Sequence, residues 1–103
     1  MDRNFNAADG YRLIYDVMEG NIRHVAVEPS AKVCSTRIDF DIEDGRLHNV
    51  RYTGGCHGNL QAIGRLLEGM DAAKASALLS GVDCRQRGTS CTDQLSRAIS
   101  GLD

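Results

Sequence analysis

Tryptophan is absent, proline occurs once, and the aromatic residues are three tyrosines and two phenylalanines. A protein that stacks nucleobases needs aromatic faces, and this chain has few to offer. It also lacks an excess of positive charge. Twelve Lys and Arg face fourteen Asp and Glu, for a net charge of −2, whereas a nucleic-acid surface is ordinarily basic. No apolar run approaches the ~20 residues that span a bilayer. The start, MDRNFNAADG, is polar and acidic and has no apolar core of the signal-peptide kind. These absences together predict a cytoplasmic protein with no nucleic acid and no membrane among its partners, in a compartment where thiols stay reduced. The chain has no internal repeat or low-complexity stretch, and its 103 residues suit one domain. A chain this short buries roughly two thirds of its unfolded surface, too little for an enzyme with separate cofactor and substrate domains. No catalytic triad, acid–base carboxylate pair or Gly-rich cofactor loop is visible, so the residues assign no enzymatic activity.

What is present is a globular composition, 42% apolar and 25% charged, written in two periods. Residues 22–28, IRHVAVE, alternate apolar and polar and predict a strand. Residues 36–42, TRIDFDI, alternate with Ile38, Phe40 and Ile42 on one side. Asp44-Gly45 is a tight-turn pair, and residues 46–53 alternate through Leu47, Val50 and Tyr52. The segment 36–53 is therefore a hairpin. Residues 7–18 fit a helical face (Tyr11, Ile14, Tyr15, Met18) and a strand (Tyr11, Leu13, Tyr15, Val17) equally well. Beyond the hairpin the period lengthens. Residues 58–69 place Leu60, Ile63, Leu66 and Leu67 on one helical face, with Gly69 at its end. Asp71 caps a helix over 72–80 with Ala73, Ala77 and Leu78 inward. Ser90 and Asp93 form a capping pattern for a last helix carrying Leu95, Ala98, Ile99 and Leu102. Strands followed by helices predict an α+β fold, a small antiparallel sheet with about three helices on one face.

Four cysteines, Cys34, Cys56, Cys84 and Cys91, fall at junctions between these elements rather than on an apolar stripe. Cys is often a small core residue, but core thiols sit inside elements. Cys56 and Cys91 stand at helix starts, where unpaired N–H groups and the helix dipole favour the thiolate, the form that ligates metals. The intervening lengths of 21, 27 and 6 residues contain no C-x-x-C pair. A shared site would have to be assembled by the fold. His24 and His48 read as surface residues of strands. His57 reads either as a ligand or proton carrier beside Cys56 or as a solvent-facing helix start. Asp93 reads first as a cap.

The blocks VCSTRIDF (33–40), TGGCHGN (53–59), EGM (68–70) and GVDCRQRGTSCTDQLSRAI (81–99) resemble the TSCPD domain, named for a T-S-C-P-D signature. Here that signature is Thr89, Ser90, Cys91, Thr92 and Asp93, with Thr92 in place of proline. The resemblance covers about residues 31–103, leaving 1–30 as an N-terminal extension packing on the core. Such domains are similar to C-terminal segments of adenosylcobalamin-dependent ribonucleotide reductases and also stand alone. The resemblance implies an accessory or regulatory module linked to ribonucleoside-diphosphate reduction; the radical barrel and cobalamin site do not fit in this length. The order of cysteine loop, hairpin, Gly-Cys turn and cysteine-led last helix is also similar, more distantly, to U-type iron–sulphur scaffolds. That pattern implies Cys34, Cys56 and Cys91 as ligands; Cys84 has no counterpart in it but could supply a fourth ligand in place of a carboxylate or histidine. The scaffold's Asp two residues after its first cysteine is replaced here by Thr36.

Three functions are therefore expected to compete. The first is a metal site of Cys34, Cys56, Cys91 and Cys84, with Zn²⁺ favoured because thiolates from separate loops suit its tetrahedral preference. The second is an iron–sulphur cluster scaffold or carrier on the same residues. The third is a thiol redox partner in which Cys84 and Cys91, flanked by Arg85 and Arg87, exchange a disulfide. The partners implied are a ribonucleotide reductase or a cluster or thiol donor, and a homodimer is compatible with all three.

Overall fold

The computed structural model describes residues 5–6, 10–84 and 88–102. Five strands, β1 (Phe5–Asn6), β2 (Tyr11–Glu19), β3 (Ile22–Glu28), β4 (Ser35–Glu43) and β5 (Arg46–Gly54), form one antiparallel sheet in the order β1-β2-β3-β4-β5. Three helices follow, α1 (His57–Leu67), α2 (Ala72–Leu79) and α3 (Cys91–Ser100). The fold is α+β, as the two periods predict.

The expected hairpin is β4–β5. Both of its turn residues have positive φ, Asp44 at 53° and Gly45 at 75°, the backbone that matches the twist of the flanking strands. The segment with two competing periods folds as strand β2. Its pairing with β3 shifts register between Leu13 and Tyr15, so a bulge at Ile14 changes which residues face the core. Tyr11 is buried and Leu13 packs against the core, while Tyr15 pairs with Ala26 on the opposite face. That phase change is why strand alternation did not stand out over the helical period. A second bulge lies in β5, where Asn49 has φ 56° and the register with β4 shifts between Asp39 and Asp41. It brings Leu47 and Val50, three residues apart, into the same core.

The outer edge of β5 is covered. Leu47 N–H donates to the Met70 carbonyl at 2.8 Å, and Gly69 N–H donates back to the Leu47 carbonyl at 2.7 Å. Asn49 N–H donates to Glu68 Oε1 at 2.8 Å. Helix α1 lies so close that a Cβ on Gly64 would stand 2.6 Å from the Val50 carbonyl oxygen. Glycine at this position is what lets the helix shield backbone groups that would otherwise invite pairing with another chain.

The core joins Val25, Val27, Ile38, Phe40, Leu47 and Val50 of the sheet to Leu67, Ala72, Ala75, Leu95, Ala98 and Ile99 of the helices. Helix α3 buries the expected stripe. Helix α1 buries Leu60 and Leu67, but Leu66 is 72% exposed. Helix α2 is turned from its expected orientation. Ala72, Ala75 and Ser76 are buried, Ala73 and Ala77 face outward, and Leu78 is 60% exposed. The reason is a polar seam with α3. Ser76 Oγ donates to the Ser96 carbonyl at 3.0 Å, Ser96 Oγ donates to the Ser76 carbonyl at 2.7 Å, and the Ser100 hydroxyl lies 2.7 Å from Ser76 Oγ. Small, mutually satisfied hydroxyls let the two helices approach, and a hydrophobicity count cannot anticipate a serine as the buried residue. Among the described residues no helix is long and apolar enough to cross a membrane.

Candidate functional site

Each cysteine sits at a junction, as expected. Cys34 lies in the loop entering β4, Cys56 is the N-cap of α1, Cys84 follows α2, and Cys91 is the first residue of α3. All four are free thiols, and all four line one cleft of about 280 Å³. Val33, Leu60, Ile63 and Val82 supply its apolar walls.

A single run of hydrogen bonds ties three of these junctions together. Gln94, completely buried on α3, accepts Ser30 N–H at 2.9 Å through Oε1. Ser30 in turn organises the Cys34 loop: its carbonyl accepts Val33 N–H at 3.1 Å and its hydroxyl accepts Lys32 N–H at 3.2 Å. The Gln94 amide donates to Thr89 Oγ1 at 3.0 Å, and the Thr89 hydroxyl donates to Asp93 Oδ2 at 2.6 Å. The other oxygen of Asp93 accepts Gly81 N–H at 2.7 Å, anchoring the segment that leads to Cys84. Cys84 N–H closes on the Thr89 carbonyl at 3.2 Å. Arg97 Nε, one turn along α3, pairs with Asp93 at 2.8 Å.

The fourth junction is held through Ser35. Gly54 and Gly55 take φ values of 78° and 80°, and Gly54 pairs with Ser35 across β4–β5. A Cβ on Gly55 would stand 2.8 Å from Leu60 Cδ1 and 3.3 Å from Ser35 N. The Gly-Gly pair therefore presses the Cys56 turn onto the start of β4. The buried Ser35 hydroxyl donates to Cys91 Sγ at 3.2 Å. Tyr52 donates its hydroxyl to the Cys91 carbonyl at 3.2 Å. Burial pushes the Tyr52 phenol well above its ordinary pKa, and Cys91 beside it adds to the shift.

The signature residues thus divide by task. Ser90 caps α3 by accepting Asp93 N–H at 3.0 Å. Thr89 and Asp93 lock the loop before α3 to the end of α2. Asp93 is more than the expected cap, since its carboxylate holds Thr89 of the loop before α3, Gly81 after α2 and Arg97 of its own helix. Cys91 is left facing the cleft, half-exposed. Ser35, Tyr52 and Gln94 were not singled out from the sequence. Ser35 and Gln94 do lie within the motif blocks 33–40 and 81–99, which was the available signal.

The cysteines line a common cleft without closing on one point. Among the described residues no three His, Cys, Asp or Glu side chains are placed to hold a metal ion. His57 is exposed and lines a neighbouring groove rather than the cysteine cleft. His24 and His48 pair with Asp41 and Glu68 on the sheet, away from the thiols. Arg85 and Arg87, expected beside a Cys84–Cys91 pair, lie outside the described residues.

The family model of the TSCPD domain matches residues 11–102, and the chain belongs to that family. The match begins at β2, twenty residues before the stretch where the sequence motifs start, so it takes in strands β2 and β3. No curated protein and no solved structure matches the chain.

Proposed function

We propose that the cleft is a thiolate metal site, with Cys34, Cys56, Cys84 and Cys91 as donors and Zn²⁺ as the favoured ion. The observation that carries this reading is the convergence of all four thiols, from four separate junctions, on one apolar-walled cleft. Four soft donors suit a closed tetrahedral zinc site. Coordination requires the donors to close further than they stand, so binding draws the Cys34 loop and the Cys84 segment toward Cys91. Metal affinity then becomes folding stability. The resemblance of the motif blocks to reductase C-terminal segments supports an accessory role in ribonucleotide reduction, with the reductase as partner.

Elemental analysis of untagged protein tests the site. About one zinc per chain is expected, with chelation lowering the melting temperature. Metal-free protein with four freely alkylated thiols refutes it. The size of the cleft favours a second reading, an iron–sulphur cluster on the same cysteines. About 280 Å³ far exceeds the ~30 Å³ that one water occupies, and Cys₄ holds such clusters. Anaerobic reconstitution with iron and sulphide then gives a brown protein; a colourless product rules that reading out.

A further inference from the structure

Most described arginines and histidines have partners. Arg23 pairs with Asp16, Arg37 with Asp39, Arg97 with Asp93, His24 with Asp41 and His48 with Glu68. Arg46 donates to the Gly69 carbonyl, and Arg12 is also engaged. Among the described residues the side chains of Arg51, His57 and Arg65 have no hydrogen-bond or ion-pair partner, and all three line the same groove of about 480 Å³ between β5 and α1. Val50, Tyr52 and Leu60 lie in its lining as an apolar floor.

The chain direction explains the clustering. Helix α1 returns antiparallel to β5 after the Gly54-Gly55 turn, and Gly64 rests on the Val50 carbonyl. Arg51 of the strand and Arg65 of the helix line this one groove from its two sides. His57 stands eight residues back along the helix, about 12 Å away at 1.5 Å per residue. Glu68 also lines the groove, but its oxygens are occupied: Oε1 accepts Asn49 N–H at 2.8 Å and Oε2 lies 2.6 Å from His48 Nδ1. Arg51 is near enough to Asp41 to help hold its carboxyl low, yet the Asp41 oxygens are engaged by His24 at 2.7 Å and Asn49 at 3.1 Å. In a chain of net charge −2, two guanidiniums without side-chain partners beside an apolar floor suit an anionic ligand.

We propose that this groove binds a small organic phosphate. The forked donors of Arg51 and Arg65 match a phosphate's oxygens, and a phosphate monoester brings a charge of about −1.5 to −2 to meet them. The groove is of the size that holds a small ligand, roughly 300–1,000 Å³, and is larger than a bare phosphate needs. The floor of Val50, Tyr52 and Leu60 takes the organic body, and His57 reaches its far end. This site is separate from the cysteine cleft, with which it shares Leu60 as a wall, and it stands whether or not that cleft holds metal.

Titration of the ¹⁵N-labelled full chain with phenyl phosphate, inorganic phosphate and benzoate, followed by amide shifts, tests it. Phenyl phosphate is expected to saturate with shifts confined to residues 49–68. Inorganic phosphate and benzoate are expected to bind more weakly. Arg51→Gln and Arg65→Gln each weaken phenyl phosphate by about tenfold or more, the loss of one charged hydrogen-bonding partner, while keeping a folded spectrum. Lys74→Gln, at an exposed position of α2, leaves binding unchanged. The proposal is overturned if phenyl phosphate gives no saturable shift at millimolar concentration or if the shifts lie elsewhere. Indifference of both arginine variants, or benzoate binding as tightly as phenyl phosphate, overturns it equally.

Discussion

Removing the carboxylate of Asp93 should cost far more than losing a helix cap. Asp93 is 2% exposed and serves three donors: the Thr89 hydroxyl at 2.6 Å, Gly81 N–H at 2.7 Å and Arg97 Nε at 2.8 Å. In Asp93→Ala these donors lose their acceptor together. Thr89 is buried and would be stranded, at a cost of about 2 kcal/mol. Gly81 is exposed, so water recovers part of its bond and about 1 kcal/mol is lost. The Arg97 side chain is 34% exposed, and solvent screening leaves its pairing worth less than about 1 kcal/mol. The sum is about 3–4 kcal/mol, a large part of the ~5–15 kcal/mol that holds a domain together. For a chain of this size it corresponds to a fall in melting temperature of roughly 15–25 °C. Urea unfolding followed by circular dichroism reads it directly. Asp93→Asn keeps the shape and one acceptor, so it should lose about half as much and remain measurable if the alanine variant does not fold. An alanine variant within about 1 kcal/mol of the parent would refute the claim that Asp93 locks α3 to the end of α2.

Two further outcomes follow from geometry and charge. Gly64→Ala adds a methyl 2.6 Å from the Val50 carbonyl, a backbone atom that cannot turn aside. The helix-propensity gain of about 1 kcal/mol is outweighed by an overpacking cost of about 1–3 kcal/mol, so thermal melts should show a loss. Gly58→Ala meets nothing within 4 Å and should raise the melting temperature slightly; a gain in both variants contradicts the close approach of α1 to β5. The pKa of His24 is raised, chiefly by its hydrogen bond to Asp41 with Glu19 adding to it, against a smaller opposing effect of burial. Its folded value lies above the unfolded one, so its stabilisation is complete below about pH 6.5 and fades as pH rises through the folded value. Imidazole NMR titration should place His24 above 6.5 in the parent and nearer 6.5 in Asp41→Asn; equal midpoints would show that Asp41 is not its partner.

Local signals made much of the fold legible before any coordinates. The hairpin was visible because Asp44-Gly45 dictates a turn through its own backbone preference, and α3 because Ser90 and the Leu95–Ala98–Ile99 stripe agree. The parts that could not be read are those set by another segment. The face of β2 depends on the bulge at Ile14, which exists only in its pairing with β3. The inward face of α2 depends on Ser76 finding Ser96 and Ser100. The site follows the same division. That the cysteines stand at junctions was legible from the glycines and caps around them. That they share one cleft was not, because the run from Ser30 through Gln94, Thr89 and Asp93 to Gly81 uses residues that each look, in sequence, like an ordinary cap or loop polar.

The start of α3 also accommodates the residue at which the signature departs from its family. The first backbone N–H groups of a helix have no intrahelical acceptor, so a proline just inside the start forfeits no helix bond and brings a suitable φ. Thr92 in its place satisfies its hydroxyl locally, 3.1 Å from Ser90 Oγ, and takes no part in the contacts that join α3 to the Cys34 loop or to Gly81. The exchange therefore falls on a position whose side chain bonds only to its neighbour Ser90. Asp93 through its carboxylate and Thr89 through its backbone carbonyl bond to the segment after α2, and Cys91 is the side chain that their frame presents to the cleft. The conservative reading of the motif, as a helix cap, and the chemical reading, as a cysteine display, are thus one construction. The cap network fixes where α3 begins, and the start of α3 fixes where the thiol of Cys91 stands.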